Sequence, residues 1–575
     1  MSRASRRWTL AADEPSARTR LERELGIGAL LAQLLANRGL TEPARAASFL
    51  DASLARSLRS PMLFAEMPRA AERLVDAVRR RERIAVYGDY DVDGITASTQ
   101  LLLFLRDLGC EPIVHIPHRL RDGYGLRASG LRELAARGAR LVVTADCGAA
   151  AHAEIAEAAR LGLEIIVCDH HQNPALRPPA LAVLNPVVFQ AGFPFAGLSA
   201  AGVVFYLLMG VRMRLRESGA AVPDLRRLLD LVALGTVADL VPLLEENRVL
   251  VKHGLREIAR GRRVGLRALH EVVGGGAITV DTLSFRLGPR LNASGRLADA
   301  SLAVELLACD DPGRARRLAE ELDGQNRSRR SIEEATVEEA ERMIDALEDR
   351  QSRRSYVLAS EGWHAGVVGI VAARLVERHY RPVVLLALEG EIARGSARGI
   401  PSLHLFEALE RCADVLERFG GHRMAAGLTL RSARLPEFAG RFERVIAAAA
   451  PASAFVPELR VDARLDLESI TAATLDELDR LEPCGQANPR PLFVCEQVEV
   501  LSSRVVGARH LKLGVRRRGG RKSFDAIGFR LAEQLPEPGS VIDVVFTPEI
   551  NQWKGEQRLQ LVLRDLRKSP AISAT

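Results

Sequence analysis

An α/β fold centred on a parallel sheet is predicted by three observations. Short apolar runs at Arg83-Ile-Ala-Val-Tyr87, Leu141-Val-Val-Thr-Ala145 and Glu164-Ile-Ile-Val-Cys168 have the length and β-branched content of buried strands. Each is followed closely by Asp. The stretches between them, Thr96 to Leu108, Ala128 to Arg137 and Ala149 to Leu161, read as helices, the last rich in Ala and Glu. Strand, helix and strand at this spacing make parallel neighbours joined by right-handed crossovers. In such sheets ligands bind beyond the carboxyl ends of the strands, and the acids sit at those ends.

The first strand runs into Val86-Tyr-Gly-Asp-Tyr-Asp-Val-Asp-Gly94, which places Asp89, Asp91 and Asp93 at alternate positions. In extended backbone such positions share one face, so three carboxylates are expected to converge on one small volume. Asp146 ends the second strand, and Asp169-His170-His171 follows the third. Asp239 stands in the otherwise apolar Leu231-Val-Ala-Leu-Gly-Thr-Val-Ala-Asp239-Leu-Val-Pro242, where a lone buried carboxylate is costly unless paired or bound to metal. The candidate ligand set is Asp89, Asp91, Asp93, Asp146, His170 and Asp239. Carboxylate oxygens with one imidazole suit Mn²⁺, and also Mg²⁺, better than a thiolate zinc site. Cys147 and Cys168 flank the acids without CxxC spacing and read as small buried residues.

Taken singly, each motif has a plainer reading. The three acids fit a solvated or Ca²⁺-binding turn, the histidines a helix N-terminus capped by Asp169, and Asp239 a helix cap or a partner for Arg. Their conjunction on one sheet points instead to two divalent cations, which together polarise a phosphodiester, activate water and neutralise the leaving oxygen. Asp91 and Asp146, central in their motifs, are the expected bridging ligands.

The rest of the chain divides into further units. Residues 1–75 read as a helical lead-in with helices at Ile27 to Asn37 and Glu42 to Leu50, and 76–310 carry the sheet, the acids and a helical extension. Residues 311–350 are charge-rich with helical periodicity and predict a long connecting helix, with Arg327, Arg329 and Arg330 on an exposed face. A second, smaller α/β unit spans 351–452, with strands at Tyr356 to Ser360 and Arg381 to Leu386. Residues 453–570 hold strand-like runs at Val498 to Leu501, Leu511 to Val515, Phe524 to Phe529 and Val541 to Phe546 that predict a β-barrel. The basic turn Arg516-Arg-Arg518-Gly-Gly-Arg521-Lys522, preceded by Arg504, Arg509, His510 and Lys512, is by itself an ordinary hairpin tip. Within a small β domain, with Phe529 and Trp553 nearby in sequence, it becomes a nucleic-acid surface.

Composition sets the outer limits. A chain of 575 residues with 47% hydrophobic and 27% charged content is a globular protein with several cores. Neither a membrane span nor a secretory leader is expected, because no run of apolar residues is long enough and Met-Ser-Arg-Ala-Ser-Arg-Arg-Trp has no apolar stretch. Seven scattered cysteines fit a reducing compartment, so the expected location is cytoplasmic. A net charge of +7 permits a polyanionic partner without requiring one.

Further motifs accompany the acids: Ile116-Pro-His-Arg119-Leu-Arg-Asp-Gly123-Tyr-Gly125, Phe285-Arg-Leu-Gly-Pro289-Arg-Leu-Asn292-Ala-Ser-Gly295-Arg296, Gly362-Trp-His-Ala-Gly-Val-Val-Gly-Ile370, Gly395-Ser396-Ala-Arg398, Gly420-Gly421-His422 and Leu481-Glu-Pro-Cys-Gly485-Gln-Ala-Asn-Pro489. With these the chain resembles the DHH phosphoesterase superfamily, whose name matches the triplet Asp169-His170-His171, and within it the RecJ family. The resemblance implies a single-stranded-DNA-specific 5′-to-3′ exonuclease of recombination and repair, using two divalent cations with Mn²⁺ preferred, or Mg²⁺. It implies that the sheet unit is a DHH domain, that 351–452 is a DHH-associated α/β domain closing a cleft over the metals, and that the barrel is an OB fold. It implies that His170 ligates metal, that His171 contacts the scissile phosphate as general acid, and that Asp169 orients the imidazoles.

DNA is then expected at Arg119, Arg290, Asn292, Arg296, Ser396, Arg398 and His422, where a terminal 5′-phosphate would fix which nucleotide reaches the metals. Farther along, the strand would meet Arg504, Arg509, Lys512 and Arg516. A monomer is expected, with single-strand-binding protein and a RecQ-type helicase as partners implied by the family alone. A small-molecule phosphodiesterase of the superfamily would need neither the connecting helix nor the barrel, and a noncatalytic DNA-binding factor would lack motif acids that are all present here. Small departures from the RecJ pattern, Ala149 and Ala150 after Asp146-Cys-Gly and Cys484 before Gly485, do not touch the proposed chemistry.

Overall fold

The structure, a computed structural model, describes residues 6–119, 121–172, 176–188, 192–297, 299–553 and 556–570. The side chains of Leu297, Gln552, Trp553, Glu556 and Gln557 lie outside the described ones, so the reading of Trp553 does too. The first sheet has five parallel strands: β1 (Ile84–Gly88), β2 (Ile113–His115), β3 (Leu141–Ala145), β4 (Glu164–Cys168) and β5 (Ala182–Leu184). β1 and β3 are buried throughout, as continuous apolar runs demand of strands covered on both faces. The spatial order is β2-β1-β3-β4-β5, so the direction of winding reverses between β1 and β3. That switch point is where the crevice of a doubly wound sheet opens. Asp89 and Asp146 follow those two strands directly.

Helices cover both faces. α1 (Val92–Asp107), α4 (Ala200–Glu217), α5 (Leu229–Ala238) and α6 (Glu245–Ala259) lie on the side of the larger core, while α2 (Ala128–Ala136) and α3 (His152–Arg160) pack on the other. The helical extension continues through α7 (Gly288–Leu297) into α8 (Pro312–Asp345), a helix of 34 residues. Asp311 caps α8 by accepting the Arg314 N–H at 2.6 Å, and Pro312 occupies its first position. Ala315, Leu318, Ala319 and Leu322 of α8 join the core of the first sheet, whereas Ala340 and Ile344 join that of the second unit. One helix thus belongs to two cores and fixes the distance between them.

The second unit is a mixed sheet in the order β9-β10-β8-β7-β6, from β6 (Tyr356–Ser360), β7 (Val383–Glu389), β8 (Ile392–Arg398), β9 (Arg418–Gly421) and β10 (Ala425–Arg431). α9 (Ala365–His379) covers the face toward α8. The last unit is a closed barrel of β11 (Ala463–Arg464), β12 (Phe493–Val506), β13 (His510–Arg517), β14 (Ser523–Gly528), β15 (Val541–Trp553) and β16 (Glu556–Lys568), with β12 pairing β15 to complete the ring. The fold class is as expected: a parallel-sheet domain, a connecting helix, a smaller α/β domain and a barrel.

The amino-terminal lead-in differs from its reading as a purely helical segment. Arg7–Leu10 forms a strand parallel to Glu458–Val461. The helices Pro15–Leu25, Ala29–Asn37 and Pro43–Asp51 bury Leu21, Leu31 and Phe49 in the same core as Phe493 and Phe546 of the barrel. No helix among the described residues is long and apolar enough to cross a membrane.

A single guanidinium joins these parts. Arg248 on α6 is 1% exposed and stacks 3.8 Å from the ring of Phe49. It donates to the carbonyls of Phe49 (2.8 Å), Arg480 (2.9 Å), Leu481 (2.8 Å), Glu482 (2.9 Å) and Pro483 (3.3 Å). Burial pushes it down to about 10, so it stays charged at neutral pH. Every carbonyl it serves is left without this donor if the group is removed. Arg248→Met, close in volume but without donors, is expected to destabilise the junction of barrel, amino-terminal helices and first sheet by about 3 kcal/mol. Urea denaturation checks this, and a change below about 0.5 kcal/mol would show that the carbonyls find other donors.

Candidate metal centre and phosphate pocket

The three leading acids converge, but by a turn rather than by the strand alternation expected from their spacing. β1 stops at Gly88. Asp91, at φ −89° and ψ 177°, then caps α1 by accepting the Gly94 N–H at 3.0 Å. The helix therefore starts four residues before Thr96, where it was expected, and Asp93 lies in its first turn. Gly94 allows the approach, since a Cβ there would stand 2.6 Å from the Asp89 carbonyl oxygen. Asn292 on α7 braces the turn by accepting the Val92 N–H at 3.2 Å.

Asp146 adopts a left-handed conformation, φ 71°, rare for a residue with a side chain and costing of order 1 kcal/mol. Its N–H donates to the Cys168 carbonyl at 3.0 Å, and the Asp89 N–H to that of Ala145 at 3.1 Å. Asp93 accepts the N–H groups of Ala200 (2.6 Å) and Ala201 (2.9 Å), the first turn of α4, whose cap is Ser199. Its charge is thereby placed at a helix N-terminus, where it is favoured. Gly235 on α5 makes room, as a Cβ there would lie 2.6 Å from Asp93 Oδ1.

The resulting cluster has two lobes. One ligand atom each of Asp89, Asp91 and Asp146 lies within 4.8 Å of the others, and the same holds for Asp93, His170 and Asp239. His170 Nε2 stands 3.2 Å from Asp146 Oδ1, 3.4 Å from Asp239 Oδ2 and 3.8 Å from Asp93 Oδ2, so Asp146 lies between the lobes. Asp91 groups with Asp89 and Asp146, and its charge also acts on Asp93, Asp239 and His170.

Burial and mutual repulsion raise four of these acids. Asp93 is pushed up to about 7 by burial and Asp91, and Asp239 to about 9 by burial, Asp93 and Asp91. Asp89 and Asp146 are held far above the carboxylate range by burial and their acidic neighbours. Burial and His171 push His170 down to about 4, leaving a neutral imidazole at physiological pH. Asp89 Oδ1, Asp146 Oδ1 and His170 Nε2 are buried without a hydrogen-bond partner. Orphaned carboxylate oxygens and a neutral imidazole are what divalent cations require, and the donor types suit Mn²⁺ and Mg²⁺.

Asp169 pairs with His171, whose Nδ1 also stands 3.7 Å from Asp146 Oδ1, so that Asp146, His170 and His171 form a third close group. Asp169 accepts from the N–H groups of Ala149 (2.9 Å), His170 (2.8 Å) and His171 (3.1 Å), and its Oδ1 lies 2.8 Å from His171 Nδ1. Burial alone would raise Asp169, but the hydrogen bond and charge of His171, with the backbone donors, hold it below its usual range. Burial alone would lower His171. Asp169 overrides it and lifts His171 to about 9, so the ring is protonated at neutral pH. Cys147 and Cys168 are buried, as read from the sequence.

A cationic pocket adjoins the acids. The Arg119 guanidinium lies 4.9 Å from the Tyr90 ring centroid. Arg296 donates to the Gly366 carbonyl at 3.0 Å across the domain boundary. It is pushed down to about 10 by burial and by Arg119, Arg329 and Arg398. A Cβ on Gly369 of α9 would stand 3.0 Å from Arg398 Nη2 and 3.1 Å from Ser396 Oγ, so the glycine keeps space open beside both. Arg119, Arg296, Ser396 and Arg398 are thus gathered from three parts of the chain.

Arg329 corrects its reading as an exposed residue: it is 7% exposed, paired with Glu333 at 2.9 Å, and close enough to Arg296 to lower it. Arg290 is engaged instead by Asp323 of α8 at 3.0 Å. His422 lies exposed in the turn from β9 to β10, its N–H on the Ala425 carbonyl at 2.8 Å. In the barrel, Arg516 pairs with Glu499 at 2.6 Å and Lys512 with Asp525 at 3.5 Å, while Arg504 and Arg509 are exposed with no ion pair among the described residues. Tyr124, given no role by its sequence motif, is the residue that sequence reasoning passed over: its hydroxyl touches His171.

Comparison with known proteins agrees with this arrangement. Residues 83–236 match the DHH family, N-terminal domain, residues 353–448 the DHHA1 domain, and residues 461–565 the RecJ OB domain. The chain is 40% identical over 571 residues to the single-stranded-DNA-specific exonuclease RecJ of Dickeya dadantii, covering 96% of this chain and 98% of that protein. It is 39% identical to that of Escherichia coli, over 93% and 95% respectively. The crystal structure of RecJ in complex with Mn²⁺ from Thermus thermophilus superposes with a TM-score of 0.84 at 32% identity, over 98% of this chain and 80% of that one. A Mg²⁺ complex of the same protein gives 0.78 at 31% identity, over 98% and 79%. With acids, histidines and domain order all in place, this chain belongs to the RecJ family of DHH phosphoesterases, metal-dependent exonucleases.

Proposed function

We propose that the chain is a single-stranded-DNA-specific 5′-to-3′ exonuclease acting in DNA recombination and repair, with two divalent cations at the acidic cluster. The observation that carries this reading is the position of Asp146 between two ligand lobes, beside a pocket of arginines drawn from both α/β domains. Asp89, Asp91 and Asp146 would hold one cation, and Asp93, Asp146, His170 and Asp239 the other. When bound, the cations supply Lewis acidity at the phosphodiester and ease deprotonation of the attacking water.

The remaining work falls to the chain. Arg119, Arg296, Ser396 and Arg398 bind a terminal 5′-phosphate, and a bound terminus fixes the next phosphodiester at the acids. His171, protonated at neutral pH, donates its proton to the 3′-oxygen of the departing nucleotide. Asp169 keeps the ring charged and oriented. The released product is a 5′-mononucleotide, and the strand keeps a new 5′-phosphate ready for the next cycle. An approach between the α/β domains too narrow for a duplex would favour single strands, and exposed Arg504 and Arg509 on the barrel would hold the strand farther on by salt-sensitive contacts. A cytoplasmic, monomeric enzyme is the reading, and any partnership with single-strand-binding protein or a RecQ-type helicase rests on the family.

Single-stranded DNA labelled at its 3′ end, incubated with Mn²⁺ or Mg²⁺, should shorten to a labelled ladder while a blunt duplex persists and Asp146→Ala is inert. Immediate release of a labelled mononucleotide would reverse the polarity, and attack on the duplex would remove the strand selectivity. Arg398→Ala should slow digestion of 5′-phosphorylated DNA about tenfold or more and erase its advantage over 5′-hydroxyl DNA. Equal loss on both substrates would move the phosphate pocket elsewhere.

Stability should report the same cluster. Asp93 and Asp239 have raised values, about 7 and about 9, and His171 is raised to about 9. All three hold more protons folded than unfolded between pH 7 and 9, so folding loses stability as pH rises through that window. With EDTA the melting temperature is therefore expected to fall from pH 7 to 9. With Mg²⁺ the trend should flatten or reverse, because ligands must shed protons to bind. Identical pH profiles with and without the ion would show that the cluster is not where it binds.

A further inference from the structure

We infer that Gly485 and Asn488, in the loop leading into the barrel, are positioning residues for Asp239 in the first domain and act through the main chain of Leu243; this rests on the reading of Asp239 as a metal ligand. No hydrogen bond among the described residues reaches the Asp239 carboxylate, and its side chain is 23% exposed. Neither a donor nor close packing therefore holds it. Its neighbour Leu240 takes φ 59°, rare for a residue with a side chain, and is 67% exposed, so burial of that side chain does not retain the turn. Asp239 is left to stand where the chain after it is tied down.

Two ties follow. Asn247, fully buried on α6, donates to the Pro242 carbonyl at 2.9 Å. The Leu243 N–H donates to the Gln486 carbonyl at 2.8 Å, and Gln486 belongs to the barrel unit. Leu243 is 2% exposed in the core of the first sheet, while Leu244 packs against the core of the barrel. Gly485 permits this approach, since a Cβ there would stand 2.6 Å from Leu243 Cδ1 and 3.3 Å from its Cγ.

The loop is built around Asn488, which is fully buried. Its carbonyl accepts the Gly485 N–H at 2.8 Å, and its own N–H returns to the Gly485 carbonyl at 3.1 Å. Its Nδ2 donates to the carbonyls of Leu481 and Pro483, both at 2.9 Å, and its Oδ1 accepts from Arg38 Nε at 2.8 Å. Just beyond, Arg490 pairs with Asp281 at 3.1 Å and draws the loop onto the helical extension. These contacts fix the Gln486 carbonyl where Leu243 meets it. The Gln486 side chain is exposed and takes no part. The motif Leu481 to Pro489 thereby gains a task at the metal centre: it sets where one ligand of the lobe of Asp93, His170 and Asp239 can stand.

The test is Mn²⁺ binding to the metal-free full chain by isothermal calorimetry, with melting in EDTA as the check on folding. Gly485→Ala is compared in two backgrounds: Asp89→Ala/Asp91→Ala, which leaves the lobe of Asp239, and Asp239→Ala, which leaves the other. It is expected to weaken the remaining ion about tenfold in the first and less than about twofold in the second. Asn488→Asp keeps the acceptor for Arg38 and removes both donations, and should act likewise. Gln486→Ala keeps the carbonyl and should change neither. Gly485→Ala, whose methyl meets only side-chain atoms, decides the matter alone if Asn488→Asp does not fold. If Asp239→Ala binds two ions as wild type does, the reading of Asp239 as a ligand fails. If Asp239→Ala loses an ion but Gly485→Ala leaves the Asp239 lobe at wild-type affinity, the inference about the loop fails. Equal weakening in both backgrounds would also overturn it, by making the loop a general support of the fold.

Discussion

Five carboxylates forced toward one another beyond the carboxyl ends of β1 and β3 set the terms for the rest of the molecule. At an effective dielectric near 20, two unit charges 4 Å apart repel by about 4 kcal/mol, and Asp89, Asp91, Asp93, Asp146 and Asp239 make several such pairs. Part of the cost is met locally. Asp91 satisfies a helix N-terminus of its own, and Asp93 borrows that of α4. Asp89 Oδ1 and Asp146 Oδ1 receive nothing from the protein. The unmet remainder is the chemical demand for cations, and it explains why protonation of Asp89 and Asp146, not their ionisation, is favoured without them.

Placing those charges requires backbone compromises that nearby residues absorb. Asp146 takes a left-handed conformation, Gly94 lets α1 begin against Asp89, and Gly235 brings α5 up to Asp93. The histidines divide because their surroundings differ. His170, whose buried Nε2 faces the acids without a hydrogen-bond partner, is neutral. His171, turned onto Asp169, is charged. Adjacent residues thus present one neutral and one charged imidazole to the cluster. The cationic pocket depends in turn on α8, whose two ends lie in different cores and so bring Ser396 and Arg398 within reach of Arg296. Arg248 performs the comparable task for the barrel.

Much of this was legible in the sequence, for identifiable reasons. Strands β1, β3 and β4 are buried on both faces and therefore appear as unbroken apolar runs, and the acids beyond them stand out because nothing else polar does. The helical period of 311–350 likewise shows α8. What escaped depends on contacts between residues distant in sequence. The spacing of Asp89, Asp91 and Asp93 suggested a strand face, but capping by Asp91 turned the chain into a helix. Arg329 sits in a charge-rich stretch that looks solvated, and only the packing of α8 shows that it is buried with Glu333. Arg290 matched a motif, yet its partner Asp323 lies on another helix. The strand Arg7–Leu10 pairs with residues at the far end of the chain, which no local pattern reports.

The central claim is that Asp146 joins two cation sites into one centre. Titration of the metal-free protein with Mn²⁺ by isothermal calorimetry tests it most directly, using wild type, Asp89→Ala/Asp91→Ala and Asp146→Ala. The account predicts two ions bound by wild type, one by the double variant and neither at comparable affinity by Asp146→Ala. Retention of one site at unchanged affinity in Asp146→Ala, or a single ion in the wild type, would contradict it.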